Sequence, residues 1–379
     1  MKVAIVHDWL NQIGGAEGVL QVLAEMFPGA PIYTSIYSPT AMPASYRHWD
    51  IRTTWMDRLP YIHHRHQPYL LLYPVAFGDL RLEGYDLVIS NKSAFCFGVR
   101  LSPETYHLCY CLTPTRFVWD LESYVEREQI GPLVRRLIRL FVGRLQRWEQ
   151  QAADRVHRFI AISREVQMRI RRYYDRDSTI IYPPVDTRRF VRVPAQEPDN
   201  YFLIVSRLVP YKRIDLAIQA FNELQLPLWI AGDGRDRPSL ESMAQPNVRF
   251  LGRVSDEELG PLLARCRAFI LPGKEDFGIT PVEAMAAGRP VIAYGGGGAL
   301  DYVIDGLSGI LFHEQTAESL ADAVLRFNQA AFDPAALRSH ASQFDRDRFK
   351  ARMLSCIREQ MGEPWSYVST DRSSSADGG

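Results

Sequence analysis

The chain has 379 residues, more than one ordinary α/β core holds and comfortable for two. Its 44 basic and 44 acidic side chains balance, which weighs against a general nucleic-acid binder with its strong basic excess and leaves a local basic patch open. Only five of the basic residues are lysines, so most cations here are planar arginines suited to bidentate anion contacts.

Short β-branched runs alternate with amphipathic helical patterns, which predicts parallel sheets with crossover helices. Residues 3–6 read as the first strand, followed by a loop at Gly14 and Gly15. A helix with apolar Val19, Leu20, Leu23, Met26 and Phe27 comes next. Further strands are predicted at 31–36, 86–90, 106–111 and 156–161, and Ser163 is placed as the N-cap of a helix running to about Tyr174. Residues 178–190, STIIYPPVDTRRF, read as a strand and a rigid proline turn that connects two domains, with the border near 185–200. The pattern then restarts: strands at 201–206, 228–231, 248–251, 268–272 and 290–293, with helices at 214–224 and 280–287. A further helix opens on the capping box Ser255–Glu258, and turns fall at 232–234 and 295–298. A last helix is predicted over about 346–361, and the small, polar tail from 366 onward reads as disordered. The cysteines, Cys96, Cys109, Cys111, Cys266 and Cys356, hold no C-x-x-C pair, which argues against disulfides and a zinc cage. No signal-peptide pattern opens the chain and no run approaches about 18 uninterrupted apolar residues, so a cytoplasmic protein is expected.

Three segments carry chemistry. In HDWLNQIGGAE (7–17), Gly14 and Gly15 let backbone approach a ligand at a helix N-terminus, or form an ordinary turn. The segment is not G-x-G-x-x-G, which counts against a dinucleotide site there. In SRLVPYKRIDLAI, Arg207 and Lys212 flank a loop at the end of a strand, a spacing that suits a diphosphate or a solvated charged loop. In PGKEDFGITPVEAMAAGRPVIA (272–293), Glu275 lies in a loop, Phe277, Gly278 and Ile279 offer backbone amides, and Thr280 with Glu283 reads as a capping box around Pro281. Amides and a helix dipole take an anion while carboxylates take hydroxyls, so the segment suits a hydroxyl-rich group joined to a phosphate.

With Glu275 and Glu283 eight apart, this last segment resembles the E-x7-E signature of retaining GT-B glycosyltransferases, specifically glycosyltransferase family 4. SRLVPYK resembles that family's phosphate-gripping Arg and Lys segment, and IAGDG (230–234) its next strand and turn. FLGRVSDEEL (250–259) resembles the stretch where the nucleotide base stacks, and YPPVDTRRF the interdomain linker. The resemblance implies an α/β GT-B fold, two facing Rossmann-like domains with an active-site cleft between them. It divides the chain into an acceptor-side domain (1–186), a nucleotide-sugar domain (187–345), a C-terminal helix returning toward the first domain (346–362) and a disordered tail (363–379). By the same resemblance, Arg207 and Lys212 neutralise the donor diphosphate, Glu275 binds hydroxyls of the transferred sugar and Glu283 those of the ribose. Gly252, Arg253 and Val254 would meet the base, Phe277, Gly278 and Ile279 would donate amides, and Gly14 and Gly15 would close on the phosphates. Such enzymes typically work without a metal, so no metal ligand is assigned and the nucleotide sugar is a co-substrate rather than a resident cofactor.

HLCYCLTPTRFVWD (107–120) resembles the YCHTPxRYxWD segment of mannosyltransferase-like members that build bacterial polysaccharides, which makes GDP-mannose the expected donor. The acceptor implied is a glycan or a lipid-linked saccharide. Leu112 stands where that pattern has a histidine near the transferred sugar, and His107 falls on the opposite face of the strand. Front-face attack, in which the donor phosphate itself takes the acceptor proton, needs no enzymatic base at this position. Thr113, Thr115 and Arg116 are candidates for lining the cleft, Arg116 meeting an anion or forming a loop salt bridge. His7 and Asp8 at the tip of the first strand either touch the acceptor or only end the strand. The alternatives are a UDP- or ADP-sugar donor such as UDP-glucose, an epimerase or phosphorylase on the same frame, and a degenerate sugar-nucleotide-binding module. The amphipathic stretch from Ile130 to Trp148, with Arg135, Arg136, Arg139, Arg144 and Arg147, is either a crossover helix with a basic outer face or a peripheral membrane contact. His63, His64 and His66 lack acidic or cysteine companions and are not read as metal ligands.

Overall fold

The computed structural model describes residues 1–64, 66–121, 132–191 and 198–362. The expected tail at 363–379 lies outside them, as do Ile130 and the side chains of Leu133, Val134, Arg135, Leu137 and Ile138.

Two parallel sheets carry the chain. The first has seven strands in the spatial order Ile51–Thr53, Ile32–Thr34, Val3–His7, Leu87–Lys92, Tyr106–Cys111, Arg158–Ala161, Ser178–Ile180. The second has six, in the order Val248–Gly252, Leu228–Ala231, Phe202–Val205, Phe269–Leu271, Val291–Tyr294, Gly309–Phe312. The central strands are buried on both faces, because crossover helices cover each side of a parallel sheet and such strands read as nearly unbroken apolar runs. In both sheets the first strand lies inside the sheet and the order reverses beside it. The reversal leaves a crevice past the C-terminal ends of the two strands that flank it. In the first sheet these are Val3–His7 and Leu87–Lys92; in the second, Phe202–Val205 and Phe269–Leu271. The paired Rossmann-like architecture expected from the sequence is therefore present.

Several predicted elements shift at their ends. The strand predicted at 156–161 is Arg158–Ala161, and the one at 31–36 shortens to Ile32–Thr34. The edge strand Ile51–Thr53, the strand Gly309–Phe312 and the helix Ala317–Gln329 were not anticipated. Ser163 caps the helix Arg164–Tyr174 by accepting from Val166 N, and Ser255 with Glu258 forms the full capping box before Asp256–Arg265.

The helix Arg346–Met361 lies against the first unit. Arg346 and Lys350 reach Glu25 at 2.6 and 3.1 Å, and Phe349 packs edge-on to Tyr110. The connecting segment is pinned to the approach of this helix by Val185 N donating to Phe344 O at 2.9 Å and Arg346 N donating to Val185 O at 3.1 Å. Tyr182, Phe277, Tyr302 and Phe344 form an aromatic cluster where the two units meet. The helix Pro132–Asp154 buries Leu145, Glu149, Ala152 and Ala153, while Arg136, Arg139, Arg144 and Arg147 stay exposed. Among the described residues, no helix is long and apolar enough to cross a membrane.

Candidate active site

A cavity of about 520 Å³ opens between the two sheets, lined by residues from both crevices. From the first unit come Gly14, Gly15, Glu17, Ser93, Leu112, Thr113 and Arg116; from the second, Arg207, Lys212, Glu275, Phe277, Gly278 and Ile279. Residues as distant in the chain as Gly14 and Ile279 thus share one wall-to-wall space, because each follows a strand at a crevice.

The second unit's wall is built on tight backbone approaches. The turn at Gly232 and Gly234 lies directly against the 206–208 backbone: a Cβ on either glycine would fall 1.9 Å from Ser206 O or 2.2 Å from Leu208 O. Any larger residue would push the loop that carries Arg207 and Lys212. Arg207 is exposed at the cavity and donates to Tyr211 Oη at 3.3 Å, while Lys212 ends a short 3-10 turn and pairs with Glu275. Glu275 is fixed through its backbone, Gly298 N donating to its carbonyl at 2.8 Å. The glycine run at 295–298 therefore serves as the bed for this loop.

The expected capping box at Thr280 and Glu283 does not form. Helix Ile279–Ala286 begins one residue earlier, with Gly278 as its N-cap at φ 93°, and no side chain caps it. Only glycine takes that backbone conformation readily, and a Cβ there would stand 2.8 Å from Tyr302 Oη. Thr280 and Glu283 consequently sit too far into the helix to cap it. The uncapped first turn leaves amides open toward the cavity, and the helix Gly15–Met26, also without a side-chain cap hydrogen bond, does the same from the opposite wall. The Phe277 side chain is buried in the aromatic cluster, which anchors the loop whose amides face the cavity.

Glu283 does not line this cavity, and neither do Gly252, Arg253 and Val254. Glu283 is half-buried, and burial pushes its carboxyl up to about 7, with Arg189 pulling the other way. Arg189 also pairs with Asp256 at 3.6 Å, so Glu283, the linker and the segment after Gly252 share one neighbourhood beyond the cavity.

The first unit's wall rests on buried polar groups, of which Lys92 and its pairing with Glu149 were missed by sequence reasoning. Asp8 accepts from the backbone N–H of Ser93, Ala94, Phe95 and Cys96 at 2.7–2.8 Å and from Ser93 Oγ at 3.1 Å. Its oxygens are thereby committed to holding the 93–96 loop, so it ends the strand rather than facing an acceptor. His7 is buried between Asn91, 3.2 Å from Nδ1, and Glu17, 3.3 Å from Nε2. Since Asn91 Nδ2 can only donate, Nδ1 accepts and the Nε2–H donates to Glu17. His107 is buried against Ser90 Oγ at 2.8 Å, and burial pushes its imidazole down to about 3. Lys92 is fully buried beneath the 112–119 loop, donating to Thr113 O at 3.2 Å and standing 3.8 Å from Glu149. Burial works against its charge, and Glu149 with its neighbours outweighs that, holding the ammonium above its ordinary range. Glu149 in turn accepts from Thr115, Trp119 and Tyr174, which shapes the turn presenting Leu112, Thr113 and Arg116. Thr115 itself is buried in this network. Arg116 pairs with Asp276 across the cleft, the salt-bridge alternative of the two expected for it. Leu112 gives the wall an apolar spot where the resembling pattern has histidine. No cluster of His, Cys, Asp and Glu able to hold a metal occurs among the described residues.

Comparison with known proteins agrees with this geometry. Residues 13–189 match the profile described as Glycosyltransferase Family 4, and residues 186–343 match the one described as Glycosyl transferases group 1. An uncharacterized glycosyltransferase of Methanocaldococcus jannaschii is 32% identical over 131 residues, 33% of this chain and 37% of that protein. The alpha-1,3/1,6-mannosyltransferase ALG2 of Dictyostelium discoideum is 24% identical over 66% of this chain and 68% of its own length. The chain thus matches about a third to two thirds of the length of these curated relatives. In fold it resembles Anabaena HepE solved in complex with UDP, with a TM-score of 0.69 and 18% identity over 95% of this chain and 100% of that one. Sucrose-phosphate synthase from Thermosynechococcus elongatus superposes with a TM-score of 0.67 and 20% identity over 95% and 99%. Two Rossmann-like units around one cleft, with both halves matched in order, make this chain a member of the GT-B glycosyltransferases of the family 4 and group 1 superfamily.

Proposed function

We propose that the chain transfers a hexose, with retention, from a nucleotide-sugar donor to a glycan or lipid-linked saccharide acceptor. The observation that carries this reading is the convergence of Arg207, Lys212, Glu275 and the amides of 277–279 on one interdomain cavity. Two cations and an uncapped helix N-terminus suit a leaving diphosphate, and a carboxylate beside them suits sugar hydroxyls. In this reading residues 1–186 form the acceptor side and 187–345 the donor side. Gly252, Arg253, Val254 and Glu283 form the nucleoside subsite beyond the cavity, and Gly14 and Gly15 close on the phosphates.

For the donor, a UDP-sugar such as UDP-glucose is better supported than GDP-mannose. HepE was solved with UDP and with UDP-glucose. Leu112 also departs from the pattern of the segment on which the mannose expectation rests. The test is a panel of nucleotide sugars incubated with the purified chain without divalent metal, with nucleotide release as readout. Turnover of UDP-glucose above GDP-mannose is expected, and the reverse order overturns the donor assignment. Binding without release in the presence of saccharide acceptors would favour a degenerate binding module instead.

A further inference from the structure

Arg116, Asp276, Arg169, Glu165 and Lys274 form a chain of alternating charge that crosses between the two units three times. Arg116 and Arg169 come from the first unit and each takes one carboxylate oxygen of Asp276, Arg169 at 2.7 Å. Arg169 also meets Glu165 of its own helix at 2.8 Å, and Lys274 returns to Glu165 at 2.9 Å. Asp276 and Glu165 are largely buried, 13% and 15% exposed, so water screens these pairs less than it screens surface ones. Asp276 is also flanked by Glu275 and Phe277 in the loop that presents the cavity's carboxylate and amides. The shape of that loop is therefore set partly by two guanidinium groups belonging to the opposite wall.

We propose that Arg116 and Arg169 are positioning residues for the 274–279 loop, and that Asp276 makes the loop's donor-binding shape conditional on the first unit being docked against it. The inference rests on the reading of that loop as the donor site. Docking of the units and ordering of the donor loop then become one event. A cleft held open presents a slack loop, and a closed one presents amides in place. Without Asp276, Arg116 and Arg169 lose the carboxylate that ties them to the second unit, and Arg169 keeps only its pair with Glu165 on its own helix.

The test compares the full chain with Arg169→Ala, Asp276→Asn and Asp276→Glu by hydrogen exchange without nucleotide and by titration with UDP and with GDP. Arg169→Ala, a change made on the opposite unit, is expected to raise amide exchange in 274–279 while the sheet strands of both units keep their protection. The same variant and Asp276→Asn should weaken whichever diphosphate the wild type binds by about tenfold, and Asp276→Glu should recover most of that loss. Unchanged exchange in the loop overturns the proposal. So does a loss of protection spread over the whole second unit, which would mark a role in stability alone. Raised exchange with unchanged diphosphate affinity also overturns it, since the loop's shape would then not matter to the ligand. If the wild type binds neither UDP nor GDP, the donor reading fails, and the exchange measurement still decides whether the loop depends on Arg169.

Discussion

The two walls of the cleft are made differently. The second unit's wall is assembled from residues close in sequence: Arg207 and Lys212 within one loop, Glu275 and the 277–279 amides within another, held by glycine turns that permit backbone contact. The first unit's wall is held from beneath by buried charges, Asp8 under the 93–96 loop and Lys92 with Glu149 under the 112–119 turn. Under the proposed function, the second unit's wall grips a chemically constant diphosphate, which a short-range motif can do. The first unit's wall then meets a particular acceptor through loops that take their form from long-range polar anchors.

Breaking the anchors should give the largest effect. Lys92→Met leaves Glu149 buried without its cation, and such a loss costs about 3–5 kcal/mol. Denaturant melts should register it as a lowered midpoint, with the loop 112–119 losing protection first. An unchanged midpoint would mean that the first wall does not depend on this pair. On the other wall, Lys212→Ala should lower turnover by roughly a hundredfold or more, as for a lost oxyanion-stabilising donor. Steady-state nucleotide release checks this, and unchanged kinetics would remove Lys212 from the site.

Glu283 offers a pH signature of the second unit. Its carboxyl is pushed up to about 7 in the folded protein, above the 4.5 of an ordinary glutamate. Between those values the folded chain holds the extra proton, so Glu283's contribution to stability is fully present below pH 4.5 and falls as pH rises toward 7. Glu283→Gln should therefore flatten the wild-type decline in melting temperature over that window. Parallel curves for the two proteins would contradict a raised carboxyl. The smallest effect is expected where the walls touch: a Cβ on Gly15 would lie 3.2 Å from Ile279 Cδ1. Gly15→Ala then asks Ile279 to leave its rotamer, about 0.5–1.5 kcal/mol. A few-fold rise in KM with kcat preserved is the expected result, and a hundredfold loss would assign Gly15 a direct part in binding.

The same contrast explains what could be read ahead of the structure. The alternation of strand and helix, the capping residues Ser163 and Ser255, and the cation, carboxylate and glycine segments of the second unit are written in local patterns of a few residues. Where local signals compete, reading fails: Thr280, Pro281 and Glu283 spell a capping box, yet Gly278 can adopt φ 93° and starts the helix first. Asp8, Lys92 and Glu149 carry no local signature at all, since the partners named above lie 21 to 88 positions away.

Sequence alone determined that this chain builds two parallel α/β units and that the second carries Arg207, Lys212, Glu275 and their glycine turns in short local segments, because helix and strand periodicity and tight turns depend on near neighbours. Only the tertiary structure decided that both crevices open onto one cavity, that Asp8 is a structural anchor, and that Arg116 pairs with Asp276 across the cleft. Those outcomes depend on strand order and on how two units dock, and side-chain pairing over more than a hundred residues leaves no periodic trace in the chain.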